Sequence, residues 1–253
     1  MTKRDRKMKK LLLTTAIAIT IPLAAQARSE FVEGDATLAG EAELGATLTT
    51  GNTDTASFKG RLALKQELGN WENDYLFEGL YKEDEDEVTA KRYLLGAQGG
   101  YQLDDVSYLF ANTNYEVDPF TGYDFTSTTA AGYGYRFIDN NTITLKAELG
   151  PGYIYQKLDR ESALEEGHDS EANAVAHGVV DFQMKISNSS KFQQKFVADW
   201  GSKINGRSDT SLTANIIGAL AMKFAIIVRY NSKPLDDKKS TDTETNMTLL
   251  YAF

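Results

Sequence analysis

The residue types that could do chemistry are sparse in this chain of 253 residues, and they do not gather into a familiar pattern. It has no cysteine and two histidines, His168 and His177. Neither stands at the spacing that puts two metal ligands on one helical face, and neither lies beside a serine in a recognisable nucleophile motif. His177 falls within an alternating segment, where it reads as an inward polar residue. Hydrolysis needs a base, a nucleophile or activated water, and a path for substrate. The sequence supplies no such set, so it reads as a non-enzyme with no catalytic residue, cofactor or metal ligand. Because barrel-borne lipases and proteases exist, a lipid or peptide hydrolase is the alternative.

Carboxylates dominate the remaining candidates. The run Glu83-Asp84-Glu85-Asp86-Glu87 and the group Glu161, Glu165, Glu166, Asp169 and Glu171 fall in expected external loops. Such charge keeps loops solvated. The sharper alternative is that these groups share divalent cations with lipopolysaccharide phosphates, although their spacing fits no calcium-loop motif. Charges of both signs also recur at alternate positions: Glu43, Lys59, Arg61, Lys65, Glu72, Glu78, Lys146, Glu148, Asp181, Lys195, Asp199 and Arg229. If alternation makes one face, all twelve line a single interior. They would then set the ion selectivity of a narrow pore or close the lumen by pairing with one another.

What must position them is a set of strands, because the period through most of the chain is 2 rather than 3.6. In Glu41–Thr49 one parity gives Ala42, Leu44, Ala46 and Leu48, and the other gives Glu41, Glu43, Gly45, Thr47 and Thr49. Ser57–Leu68 sets Phe58, Leu62, Leu64 and Leu68 against Lys59, Arg61, Lys65 and Glu67. Trp71–Lys82 sets Trp71, Tyr75, Phe77 and Tyr81 against Glu72, Asp74, Glu78 and Lys82. About twelve such segments follow one another to Phe253. In Val106–Val117 Tyr108 and Phe110 compete with Leu109, Ala111 and Tyr115 for the apolar face, and its orientation stays open.

Short turns are expected at Gly69-Asn70, Asp104-Asp105, 139–141, 187–190 and 221–223. Longer connections are expected at 51–54, 83–88, 118–124, 158–170, 205–209 and 233–241, in strict alternation with them. A charge on a lipid-facing strand costs roughly 2–4 kcal/mol near the midplane for Arg or Lys, and the assigned apolar faces carry none. The fold expected is therefore all-β: a transmembrane antiparallel up-and-down β-barrel of about twelve strands, with short periplasmic turns and longer external loops. That size lies between barrels filled by side chains and open porins and does not by itself settle the bore; with charges of both signs facing inward, the reading favoured is a narrow or closed lumen.

The N-terminus carries Lys3, Arg4, Arg6, Lys7, Lys9 and Lys10 before the apolar run Leu11–Ala25, then Ala25-Gln26-Ala27. This reads as a secretory signal peptide, residues 1–27, cleaved after Ala27. A short periplasmic segment, 28–39, and a barrel, 40–253, would follow, located in the bacterial outer membrane. Removing six basic residues and one acidic residue from 27 and 36 leaves 21 and 35, a net charge of −14 that disfavours nucleic acid as a partner.

Gly40-Glu41-Ala42-Glu43-Leu44-Gly45-Ala46-Thr47-Leu48-Thr49-Thr50-Gly51-Asn52-Thr53 resembles the opening strand and turn of the YdiY-like salt-induced outer membrane proteins, a domain of unknown function. Similarity continues in Phe58-Lys59-Gly60-Arg61, Lys91-Arg92-Tyr93, Asp242-Thr243-Glu244-Thr245 and Tyr251-Ala252-Phe253, spanning nearly all of the mature chain. The resemblance implies an envelope barrel linked to salt or envelope stress and brings no agreed catalytic site. The ending, with Met247, Leu249, Tyr251 and Phe253 on one face, also resembles the C-terminal signal read by the barrel assembly machinery. Expected partners are therefore outer-membrane lipid, lipopolysaccharide and that machinery; oligomeric state is open, and a poreless surface-interaction protein is a further alternative.

Overall fold

The computed structural model describes residues 36–49, 55–235 and 238–253, which form twelve antiparallel strands closed into one barrel. In chain order these are β1 Ala36–Thr49, β2 Thr55–Leu68, β3 Trp71–Asp84, β4 Glu87–Gln102, β5 Ser107–Asp118 and β6 Tyr123–Asp139. Then come β7 Ile143–Leu158, β8 Ser170–Ser187, β9 Ser190–Trp200, β10 Ile204–Ile217, β11 Leu220–Asn231 and β12 Thr241–Ala252. Each strand pairs with its neighbour in sequence, and β1 pairs with β12. Among the described residues no helix is long and apolar enough to cross a membrane. The expected signal peptide lies outside the described residues, and β1 begins at Ala36, inside the expected segment 28–39.

Alternation becomes sidedness on closure. Sequence neighbours show it most directly: Glu43 is 3% exposed and Leu44 51%, Glu78 3% and Phe77 50%, Glu148 5% and Leu149 63%. The buried members of these pairs carry charge and the exposed ones are greasy, the reverse of a water-soluble protein. A closed sheet satisfies its backbone internally and turns a mainly apolar face to lipid, which is what a membrane-spanning barrel requires. Aromatics sit at both rims: Trp71 packs on Tyr101 and Tyr135 on Phe137 at the turn end, and Tyr115, Phe125 and Tyr155 pack together at the loop end.

Strand β5 takes the orientation that the sequence left open. Tyr108 and Phe110 are each 3% exposed and point inward, whereas Leu109, Ala111 and Tyr115 face out. Gly134 on β6 makes room for this, since a Cβ there would lie 2.2 Å from the Tyr108 ring.

Connections depart from strict alternation. Glu83 and Asp84 belong to β3 and Glu87 to β4, so the acidic run is a two-residue turn, not a loop. Glu85 and Asp86 both have positive φ, 49° and 68°, as a tight hairpin with primed geometry needs. Residues 205–209 are strand, and only 201–203 link β9 to β10. The turn expected at 221–223 falls instead at 218–219. Of the described connections, 159–169 and 232–240 are long, both at the loop end. The first holds a helix, α1 Arg160–Glu166, capped by the Asp159 carboxylate, which accepts from Ser162 N at 2.8 Å. At the opposite end the Asp104 carboxylate accepts from Val106 N and Ser107 N at 2.9 and 2.8 Å and from the Ser107 hydroxyl. These bonds hold its pKa below the ordinary aspartate value. Their contribution is present above that ordinary value and lost as pH falls through the depressed one.

The seam joins the first strand to the last. Glu41 pairs with Ala252 and Leu44 with Leu249, and Gly40 exchanges two backbone hydrogen bonds with Phe253, at 2.7 and 2.8 Å. The Phe253 ring lies over Gly40, where a Cβ would be 2.4 Å away. Deleting Phe253 removes both bonds and the ring. The folded, heat-modifiable fraction on gels after refolding into vesicles is expected to drop severalfold, and an unchanged fraction would show that the seam closes without it.

Candidate functional site

The interior of the barrel is polar, and a cavity of about 610 Å³ lies within it, from the loop end to about mid-barrel. Its loop end is bounded by Phe120, Thr121, Pro234 and Leu235, and its deeper wall by Glu43, Arg61 and Lys223. Seven of the twelve expected interior charges line it: Glu43, Lys59, Arg61, Glu78, Lys195, Asp199 and Arg229. The other five sit elsewhere on the inner wall. Lys65 bridges Glu72 at 3.1 Å, and Glu72 also takes Arg136 at 3.0 Å. Glu148 accepts from Tyr108 Oη at 2.7 Å and Gln98 Nε2 at 2.9 Å. Asp181 accepts from Gln193 and Gln183. Lys146 lies beside Asp181 in the register without an ion pair within 4.0 Å among the described residues.

The densest cluster centres on Glu244. Its carboxylate accepts from Lys59 Nζ at 2.7 Å, Arg92 Nη2 at 2.5 Å, Arg229 Nη1 at 3.1 Å and Asn246 Nδ2 at 2.8 Å. These donors come from β2, β4, β11 and β12, so Arg92 reaches Glu244 past three intervening strands. Arg92 also meets Glu78 at 3.4 Å. Next to this, Arg207 Nε donates to both oxygens of Asp209, at 2.8 and 3.0 Å. Deeper in the lumen Glu43 takes Arg61 at 2.5 Å and Lys223 at 2.8 Å. Each network is mostly buried, where ion pairs are strong but desolvation is costly.

Two further features narrow the lumen. Tyr108, Phe110 and Ala130 form a buried cluster inside the wall, with the Arg136 guanidinium 4.8 Å from the Tyr108 ring centre. Glu41 on β1 and Lys191 on β9 approach to 3.9 Å across the turn-end mouth. Beside Phe110, His177 Nδ1 lies 2.7 Å from Asp199, and Nε2 faces the Asn112 amide at 3.4 Å. Nδ1–H donating to the carboxylate leaves Nε2 to accept from that amide. A histidine oriented by a carboxylate is half of a hydrolytic triad. Here its outer nitrogen meets an amide, and no hydroxyl among the described residues is bonded to it.

Glu244, Arg92, Arg207, Asp209 and Lys223 are among the interior charges that the sequence did not single out. Arg92 stands on the buried parity of β4, next to the exposed Tyr93. Arg207 and Asp209 were hidden because the outward residues between and beside them, Ser208 and Thr210, are polar and broke the alternation. Those two hydroxyls satisfy each other's needs through Gln194 of β9: its amide donates to Ser208 at 3.0 Å and its carbonyl accepts from Thr210 at 2.5 Å. Met247, Leu249, Tyr251 and Phe253 all lie exposed on the outer face of the final strand.

With that geometry in place, the comparison with known proteins is direct. A family model described as a protein of unknown function, DUF481, matches residues 42–253. The chain belongs to that family. It is 25% identical over 168 residues to a protein named Uncharacterized protein YdiY from Escherichia coli K12, covering 66% of this chain and 64% of that one, so it spans a little under two thirds of that relative's length. Among solved structures it is similar to the translocator domain of the autotransporter NalP from Neisseria meningitidis, with TM-score 0.47, 9% identity and 98% and 95% of the two chains covered. It is also similar to the COG4313 outer membrane channel from Pseudomonas putida F1, with TM-score 0.47, 8% identity and coverage of 86% and 95%.

Glu244 offers the clearest test of the interior network. Replacing it with alanine leaves three buried cations without their shared partner, an imbalance that costs about 3–5 kcal/mol. The urea midpoint of Glu244→Ala in lipid is expected to fall accordingly; an unchanged midpoint would mean the network contributes nothing to stability.

Proposed function

We propose that this protein is a non-enzymatic barrel of the bacterial outer membrane whose narrow polar lumen passes small hydrophilic solutes or ions. The observation that carries this reading is the charged cavity of about 610 Å³ inside the closed wall, bounded at its loop end by Phe120 and Leu235. Its size suits one small solute at a time. The apolar outer belt with aromatic rims supports the location. A role in the response to salt or envelope stress follows from the family resemblance and belongs to the same proposal. The contacts across the lumen, Arg92 with Glu244 and Glu41 with Lys191, favour a second reading in which the barrel is a closed structural or surface-interaction protein.

Planar-bilayer recording separates the two. The pore reading expects small, discrete conductance steps in KCl, and Tyr108→Ala, by clearing the inward ring, is expected to raise the step size about twofold. A folded, reconstituted protein with no channel events across several salts would favour the structural reading.

A further inference from the structure

We propose that the lumen holds a binding site for a compact oxyanion at Arg229 and Arg207, with Glu244 as the internal carboxylate that an incoming anion displaces. The proposal deepens the pore reading and rests on it for transport, but not for binding. Register provides the first argument. Arg207 and Arg229 are direct cross-strand partners on the inner face of β10 and β11. Like charges placed opposite one another are destabilising, and the pair is offset by Asp209 on Arg207, Glu244 on Arg229 and Asp242 opposite Arg229 on β12.

Acceptor supply provides the second argument. A carboxylate offers about four lone-pair sites. Glu244 already takes four donors, from Lys59, Arg92, Arg229 and Asn246. Arg229 is left with Nε and Nη2 buried and without an acceptor, and Arg92 with Nε in the same condition. Unmet charged donors are expensive, and a planar guanidinium fork is matched by the paired oxygens of phosphate or carboxylate. Arg229, Arg207 and Lys59 all line the cavity; the unmet Arg229 nitrogens are themselves shielded from solvent, so a ligand in the lumen meets them as the Glu244 carboxylate is displaced.

Acidic neighbours limit what fits. Asp209 holds Arg207, and Glu116, Asp118 and Asp242 border the same cavity. These repel a long polyanion. The ligand is therefore small and carries one oxyanion group, a free phosphate or the carboxylate of a small solute.

The test uses full-length protein purified from membranes in detergent, with inorganic phosphate as the probe, acetate as the carboxylate arm and chloride as the control anion. Phosphate is expected to show saturable ³¹P line broadening that acetate reverses and chloride at equal ionic strength does not. Arg229→Gln is expected to weaken binding about tenfold, the loss of one charge-assisted contact. Arg229→Lys keeps the lumen charge and guards against a folding failure; it too is expected to weaken binding, because an ammonium lacks the fork. Glu244→Gln removes the internal competitor and is expected to tighten it. Absence of saturable broadening in the wild type, or unchanged binding in both Arg229 variants, overturns the site. In bilayers, phosphate is expected to reduce the KCl current of the wild type and not that of Arg229→Gln. Broadening without channel events would leave the site standing and remove the pore, whereas channel events indifferent to phosphate would remove the site and leave the pore.

Discussion

Closure of β1 onto β12 is the constraint on which the rest depends. In lipid a backbone N–H or C=O has no water to turn to, so an open sheet edge is not tolerated. Pairing from Glu41–Ala252 to Leu44–Leu249, finished by the Gly40–Phe253 bonds, removes the only two edges of the meander. Once the ring is closed, each residue is either inside or outside. A period-2 pattern then becomes an apolar belt and a charged lumen with no further instruction.

The consequence for the interior is a packing problem posed in charges. Glu244 and Glu43 each gather cations from more than one strand, and Glu148 gathers neutral donors from Tyr108 and Gln98. Buried ion pairs of this kind contribute little net stability but cost much to break, so they fix the positions of long side chains and hence the bore. Tyr108 and Phe110 add bulk toward the turn end, and the cavity lies on the loop side of them. The lumen is in this way neither filled like that of a small barrel nor open like that of a large porin.

Most of the wall was legible because one face of each strand meets lipid, and a misplaced charge there is costly. Leu44 beside Glu43, and Leu149 beside Glu148, announce their sides without a structure. Legibility failed where lipid-facing residues could be polar. Ser208 and Thr210 satisfy their hydroxyls locally through Gln194, so the strand they belong to looked like a loop and concealed Arg207 and Asp209. It also failed in β5, where aromatics stand at both parities and the choice is made by Gly134 on the neighbouring strand, a long-range fact. The turn at Glu85-Asp86 was hidden because acidic residues suit a loop as well as a hairpin, and helix α1 because seven residues carry too little periodicity to read. Glu244 was visible within a family-like segment, but only the register of four strands shows that its carboxylate is shared.

Strand β5 sets the bore, and the absence of native cysteine makes it accessible to site-directed spin labels. Labels placed singly from position 108 to 113 and read by power saturation, with oxygen as the lipid-soluble relaxant and a nickel chelate as the aqueous one, report the face directly. High oxygen accessibility is expected at 109, 111 and 113 and low oxygen accessibility at 108, 110 and 112. The opposite phase, or no alternation, would contradict the inward placement of Tyr108 and Phe110 and with it the narrowed lumen.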